Sequence, residues 1–156
     1  MKNLNITAKI RVCNYEELNS SEKNLINIAK DATLKAYAPY SRFQVGAAIL
    51  LANNEIVTGN NQENAASPSG LCAERTALFY ANSQFPDEAV DTIAVAAYTK
   101  GDFIDEPVTP CGACRQVILE AQNRYKHPVR IILYGKKTIY IIEKITDLLP
   151  LAFSEY

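Results

Sequence analysis

Apolar residues after Asn19 recur at helical spacing, through Leu25, Ile28, Ala29, Ala32 and Ala36. Asn19, Ser20 and Ser21 offer an N-cap, and Glu22 is placed to close a capping box from Asn19. Pro39 stops this first helix, because proline has no backbone N–H to continue it. The period then changes. Residues 43–51 form a nearly continuous apolar run and predict a buried strand, Asn53-Asn54 a turn, and residues 56–59 the returning strand of a hairpin. Residues 60–70 are small and polar, with Pro68 and Gly70 as breakers. Cys72 opens a second helix to about residue 83, with Ala73, Leu78 and Ala81 on its apolar face. Beyond the turn at Pro86-Asp87 come a strand at 92–98, a loop at 100–109, and a short helix from Pro110-Cys111 through Val117, Ile118 and Ala121. Strands at 129–133 and 139–142 and a last helical piece at 145–149 complete the chain. Ile6, Ile10 and Val12 leave residues 1–14 open between an edge strand and a loose arm.

Strands alternating with helices predict an α/β fold, a three-layer α/β/α sandwich around a mixed central sheet. No repeat, low-complexity tract or linker interrupts the 156 residues, so a single domain over 1–156 is expected. Hydrophobic content of 48% and charged content of 21% are ordinary globular values. A formal net charge of −1 argues against nucleic acid as a partner, since that affinity rests on a basic surface. The longest apolar run, residues 45–52, is far below the roughly 20 residues of a membrane span. The first residues are polar and lack the apolar core of an export signal, so a cytoplasmic protein with reduced thiols is expected. That compartment disfavours a disulfide framework among the four cysteines. Cys13 then reads as a small buried apolar residue, and His127, the only histidine, as a solvated loop residue.

Chemistry concentrates in two short segments, Cys72-Ala73-Glu74 and Pro110-Cys111-Gly112-Ala113-Cys114. Three thiolates can hold Zn²⁺ and leave its fourth tetrahedral position open to water, and a carboxylate beside that water can move protons. Cys111 and Cys114 have the spacing that brings two side chains together on a helix. Cys72 sits where a helix begins, and the partial positive charge there favours thiolate. Residues two apart do not share a helix face, so Cys72 must project from the irregular helix start while Glu74 lies in the first turn. Three thiolates leave the zinc site with a net charge of −1, and Arg75 is placed to hydrogen-bond a ligand sulfur and offset it. Other readings stay open: Glu74 as a helix-dipole partner, Arg75 as a surface ion-pair residue, and Cys13 as the fourth ligand of a closed, inert Cys₄ site.

With these residues in view, the chain resembles the cytidine deaminases of the small, homotetrameric, three-cysteine zinc type, over roughly residues 38–153. The resemblance rests on five segments in order. They are Tyr40-Ser41-x-Phe43-x-Val45-Gly46-Ala47-Ala48, Gly59-x-Asn61-x-Glu63-Asn64-Ala65, Cys72-Ala73-Glu74-Arg75-Thr76-Ala77, Pro110-Cys111-Gly112-Ala113-Cys114-Arg115-Gln116 and Leu148-Leu149-Pro150-x-x-Phe153. It implies zinc on Cys72, Cys111 and Cys114, Glu74 as the proton-transfer residue, and deamination of cytidine and 2′-deoxycytidine to the uridines in pyrimidine salvage. It further implies that Asn61 and Glu63 hold the ribose 3′-hydroxyl, that Phe43 packs on the pyrimidine, and that Ala65 and Ala73 read the base edge through their backbones. Phe153 would reach into a neighbouring subunit of a homotetramer. Phe43 as a core aromatic and Asn61 as a turn residue are the plain alternatives. One position departs from the family: Ser67 stands where a tyrosine is common, and this leaves room for another nucleoside or a nucleoside antibiotic as substrate. A polynucleotide deaminase and a non-catalytic zinc-stabilised module are the remaining alternatives.

Overall fold

The computed structural model describes residues 1–154. Seven strands and three α-helices alternate along it. In chain order they are β1 (Arg11–Cys13), α1 (Ser20–Thr33), β2 (Gln44–Leu51), β3 (Ile56–Asn60), α2 (Ala73–Gln84), β4 (Val90–Thr99), β5 (Asp102–Phe103), α3 (Gly112–Tyr125), β6 (Arg130–Tyr134) and β7 (Ile139–Ile142). Single 3₁₀ turns lie at Tyr15–Glu17, Ser67–Ser69 and Ile145–Asp147. The strands form one sheet in the order β1-β7-β6-β4-β2-β3, with β5 added to the end of β4. Only β4 and β6 run parallel, joined through α3, and every other pair is antiparallel. The sheet is therefore mixed, as predicted.

Alternation along β2 assigns the two faces. Ala48, with Ala94 and Ala96 of β4, packs with Leu25, Ile26 and Ala29 of α1. Ala47 and Ile49, with Ile93 and Val95, pack with Ala73, Ala77 and Leu78 of α2 and Ile118 of α3. One helix covers one face and two cover the other, which makes three layers. The helix over residues 20–33 has the capping box read from its sequence. Asn19 Oδ1 accepts from Glu22 N at 2.9 Å, and Glu22 Oε2 accepts from Asn19 N at 2.9 Å.

Several expectations change. The first helix ends at Thr33 and not near Pro39, leaving Ala36 in a turn that bonds back to the Thr33 carbonyl at 3.1 Å. Part of the loop predicted at 100–109 pairs as β5, which lengthens the sheet beyond the end of β6. The third helix is not short. It runs to Tyr125, where Arg124 Nη2 and Tyr125 Oη donate to the Pro86 carbonyl at 2.9 and 2.8 Å. Of residues 1–14, only 11–13 form a strand, pairing with β7 at the sheet edge. Cys13 there is half-buried rather than buried. His127 is not simply solvated, because its Nε2 lies 3.2 Å from Asp91 Oδ1.

Candidate functional site

Both cysteine segments fold as helix starts. Cys72 is the N-cap of α2 and Cys111 the N-cap of α3, each with extended backbone angles. An N-cap side chain stands outside the helical spiral and can turn toward the first turn. Cys111 does so: its Sγ accepts from Cys114 N at 3.4 Å, so the two thiols meet as N-cap and third helical residue. They do not meet as two residues on one helix face, as their spacing suggests. Glu74 is the second residue of α2, so one cap position separates its direction from that of Cys72.

Two further features fix where α2 begins. Gly59 on β3 lets the helix come close, since a Cβ there would lie 2.4 Å from Ala77 N and 2.7 Å from Ala73 O. The Cys72 carbonyl accepts from Thr76 N at 3.0 Å and Thr76 Oγ1 at 3.1 Å. On α3, Arg115 Nε donates to the Pro110 carbonyl at 2.8 Å and its Nη1 to the Leu148 carbonyl at 2.7 Å. This ties the second metal segment to the carboxyl-terminal strap.

The sulfurs of Cys72, Cys111 and Cys114 lie within 4.8 Å of one another, the one such cluster among the described residues. Cys72 and Cys111 sulfurs are 3.8 Å apart, and Cys111 and Cys114 sulfurs 3.4 Å. Zinc–sulfur bonds of about 2.3 Å at tetrahedral angles put sulfurs about 3.8 Å apart, so the donor set fits zinc. Cys13 lies on β1, packed on the α1 face of the sheet and outside this cluster, so a Cys₄ site with it is not formed.

Arg75 Nη2 lies 3.6 Å from Cys72 Sγ. Among the three thiols alone, the Cys72 thiol is pushed down to about 5 by the hydrogen bond it receives from Cys114 and then by Arg75. The Cys114 thiol is pushed up for the reciprocal reason and by its burial. A cation held by the three sulfurs would displace their protons. Glu74 is only 6% exposed. Burial raises its carboxyl pKa above the ordinary value, with the Cys72 charge adding to the rise and Arg75 opposing it.

Cys72 and Arg75 also border a cleft of about 510 Å³, shared with Tyr40, Asn61, Glu63 and Ala65 among others. Ser67 lies on its rim at the start of a 3₁₀ turn. Asn61 and Glu63 are brought to this cleft, each already engaged with β2 and the loop before it. Asn61 Nδ2 donates to the Phe43 carbonyl and its Oδ1 accepts from Val45 N, both at 2.8 Å. Glu63 accepts from the Tyr40 and Ser41 amides and from the Ser41 hydroxyl. These bonds hold its carboxyl below the usual range, the Ser41 hydroxyl most of all. Phe43 is half-buried behind these bonds and does not itself line the cleft. Ala73, the first residue of α2, is fully buried. Phe153 is 66% exposed, away from the cleft of its own chain, with its carbonyl accepting from Gln116 Nε2 at 2.8 Å. A larger groove of about 820 Å³ beside α3 and residues 149–152 has no thiol or carboxylate in its wall.

Sequence reasoning passed over Ser41 and Arg115 as working residues, although both stand inside the segments it singled out. A hydroxyl or guanidinium in such a segment, next to positions already assigned a task, was the available signal.

Residues 19–127 match the family model described as "Cytidine and deoxycytidylate deaminase zinc-binding region". The chain is 42% identical over 141 residues to a cytidine deaminase of Sporosarcina psychrophila, covering 85% of this chain and 91% of that one. It is 52% identical over 96 residues to a cytidine deaminase of Halalkalibacterium halodurans, covering 62% and 68%. Among solved structures, cytidine deaminase from Burkholderia pseudomallei superposes with a TM-score of 0.72 at 39% identity, covering 87% of this chain and all of that one. The enzyme from Mycobacterium tuberculosis gives 0.69 at 32% identity, covering 88% and 100%.

Proposed function

The chain belongs to the cytidine and deoxycytidylate deaminase family, and on that premise we propose that it hydrolyses cytidine and 2′-deoxycytidine to the corresponding uridines and ammonia. The observation that carries the reading is a buried carboxylate, Glu74, on the same helix start as Cys72, one of three clustered thiols, where Cys72 and Arg75 border a cleft that also holds the carboxylate of Glu63.

Zinc, held by Cys72, Cys111 and Cys114, would supply the Lewis acidity that makes water a nucleophile at neutral pH. The rest falls to side chains. Glu74 takes a proton from the attacking water, passes it to N3 of the pyrimidine as C4 is attacked, and carries a second to the departing 4-amino group. Its raised pKa suits this, since a carboxyl that both accepts and returns a proton works best with a pKa moved toward neutrality. Arg75 draws charge from the Cys72 sulfur. Glu63, charged and partly engaged, keeps acceptor capacity for a sugar hydroxyl, with Asn61 beside it. Phe43 packs on the base, and the backbones of Ala65 and Ala73 read its edge.

The assembly proposed is a homotetramer in the cytoplasm, with each Phe153 completing a neighbour's site. Exposed Phe79 and Tyr80 on α2, Tyr37, Tyr40 on the cleft, and Phe153 itself are apolar surface that supports such contacts. Among the described residues no helix is long and apolar enough to cross a membrane.

The test is the ultraviolet absorbance change of cytidine with zinc-loaded protein, beside Glu74→Gln. Deamination by the parent and its loss in a variant that keeps zinc are expected. An inactive zinc-loaded parent, on both cytidine and 2′-deoxycytidine, refutes the substrate.

A further inference from the structure

The segment from Tyr40 to Phe43, whose Tyr40 and Ser41 line the cleft, is tied to Glu63 by a chain of hydrogen bonds, and Ser41 is its middle member. The Ser41 hydroxyl donates to Glu63 Oε1 and accepts from Phe43 N at 3.0 Å. Glu63 Oε2 accepts from Tyr40 N at 2.9 Å and Ser41 N at 3.2 Å. Beyond Phe43, Asn61 takes up the Phe43 carbonyl and the Val45 amide, so the path closes between the start of β2 and the segment that carries Asn61 and Glu63. Residues 40–43 precede the first residue of β2 and have no ladder of their own. Arg42 between them has a positive φ of 55°, a conformation costly for arginine unless neighbouring bonds enforce it. Side-chain bonds, with one backbone turn bond from Arg42 N to the Ala38 carbonyl at 3.0 Å, therefore set where this segment lies.

A carboxylate offers about four lone-pair sites. In Glu63 three are engaged, by two amides and the Ser41 hydroxyl. Ser41 thus decides which site is left for a ligand, and with the same oxygen decides where the Phe43 backbone lies. We infer that Ser41 is a positioning residue that locks the cleft-lining carboxylate of Glu63 and the backbone of Phe43, proposed above to pack on the base, into one unit, so that sugar and base are recognised together. The inference rests on the reading of the cleft as a nucleoside site. The depressed Glu63 pKa, caused chiefly by this hydroxyl, agrees with it.

Ser41→Ala tests it, beside the matched pair Ser41→Thr and Ser41→Val, which keep one volume and differ in the hydroxyl. In zinc-loaded protein the Ala and Val variants should raise the KM for cytidine about five- to tenfold with kcat within about twofold, and Thr should restore the parent KM. Carbon NMR of labelled glutamate should show the Glu63 carboxyl titrating at higher pH in Ala and Val, and at the parent value in Thr. A purely structural serine would change melting temperature without this split between KM and kcat. An unchanged KM, or an unchanged Glu63 titration, in a folded Ala or Val variant overturns the inference. If the parent fails to deaminate cytidine, the functional reading fails, and the Glu63 titration alone decides the role of Ser41.

Discussion

Gly59→Ala places one methyl group between β3 and α2, and its consequence can be worked from distances. The new Cβ would lie 2.4 Å from Ala77 N and 2.7 Å from Ala73 O, against ordinary contacts of 3.4 Å or more. Both obstructing atoms are backbone, and Ala73 and Ala77 are themselves fully buried. No side chain can rotate away, so α2 must retreat by roughly 1 Å, from 2.4 toward 3.4 Å. Forcing a packed interface apart costs about 1–3 kcal/mol, and the upper end applies where backbone must move. For a chain of this length that lowers the melting temperature by about 5–10 °C. The same retreat carries Cys72, the N-cap of α2, away from Cys111 and Cys114. Metal sites tolerate only about 0.2 Å in ligand distance, so zinc affinity must fall as well. Scanning calorimetry measures the first effect, and competition with a chromophoric zinc chelator the second. Thr58→Ala, at an exposed neighbour on β3, is the control and should change neither. A Gly59→Ala protein melting within about 1 °C of the parent, with parental zinc affinity, would refute the close-packing argument.

Other outcomes follow from the same geometry. Cys114→Ser should lose stoichiometric zinc while Cys13→Ser keeps it, read by metal analysis after dialysis, because only the former belongs to the cluster. In zinc-stripped protein Cys72 should alkylate with a midpoint near its value of about 5, and Arg75→Gln should move that midpoint upward, since the guanidinium stabilises the thiolate. Glu74→Gln should lower kcat by about 10²–10⁴ with zinc retained. It should also stabilise the zinc-stripped protein at pH values above the ordinary carboxyl pKa. Burial raises the Glu74 pKa in the folded state, so its neutral form favours folding below the ordinary carboxyl pKa and that contribution is lost as pH rises through the folded value. The advantage of Gln, measured by denaturant midpoints, should vanish at low pH.

What was legible in the sequence was local or chemically rare. The Asn19–Glu22 capping box is legible because both partners lie within one turn. The thiol cluster is legible because few structures call for Cys-x-Glu and Cys-x-x-Cys in one reduced chain. The contact of Arg75 with Cys72 follows from a spacing of three at a helix start. Pairings across the chain were not legible. Residues 11–13 become a strand only because β7 offers an edge. The end of α3 is polar by composition and stays helical because Gln122, Arg124 and Tyr125 bond to Val129, Ile145 and Pro86. The link of Ser41 to Glu63 joins residues 22 apart, and no local pattern announces it.

The choice of cysteine at two helix caps has a structural cost with a chemical return. Cys72 makes no side-chain capping bond, and Cys111 makes one long bond through sulfur, where serine or aspartate would cap each helix better. Both helix starts are therefore weakly closed by their cap side chains, and deprotonated sulfurs, as better acceptors and as anions, would close them more firmly. The electrostatics run the same way. A zinc ion with three thiolates carries a charge of −1, and each helix start facing it contributes roughly half a positive charge. Together with Arg75 these offset the ligand charge that neutral imidazoles would not bring. Three thiolates can then serve in place of a site with a histidine ligand, in a chain whose only histidine sits elsewhere, against Asp91. Metal binding and the docking of α2 and α3 should accordingly be one cooperative event, with the same cap geometry setting both stability and the placement of Glu74 in the first turn of α2.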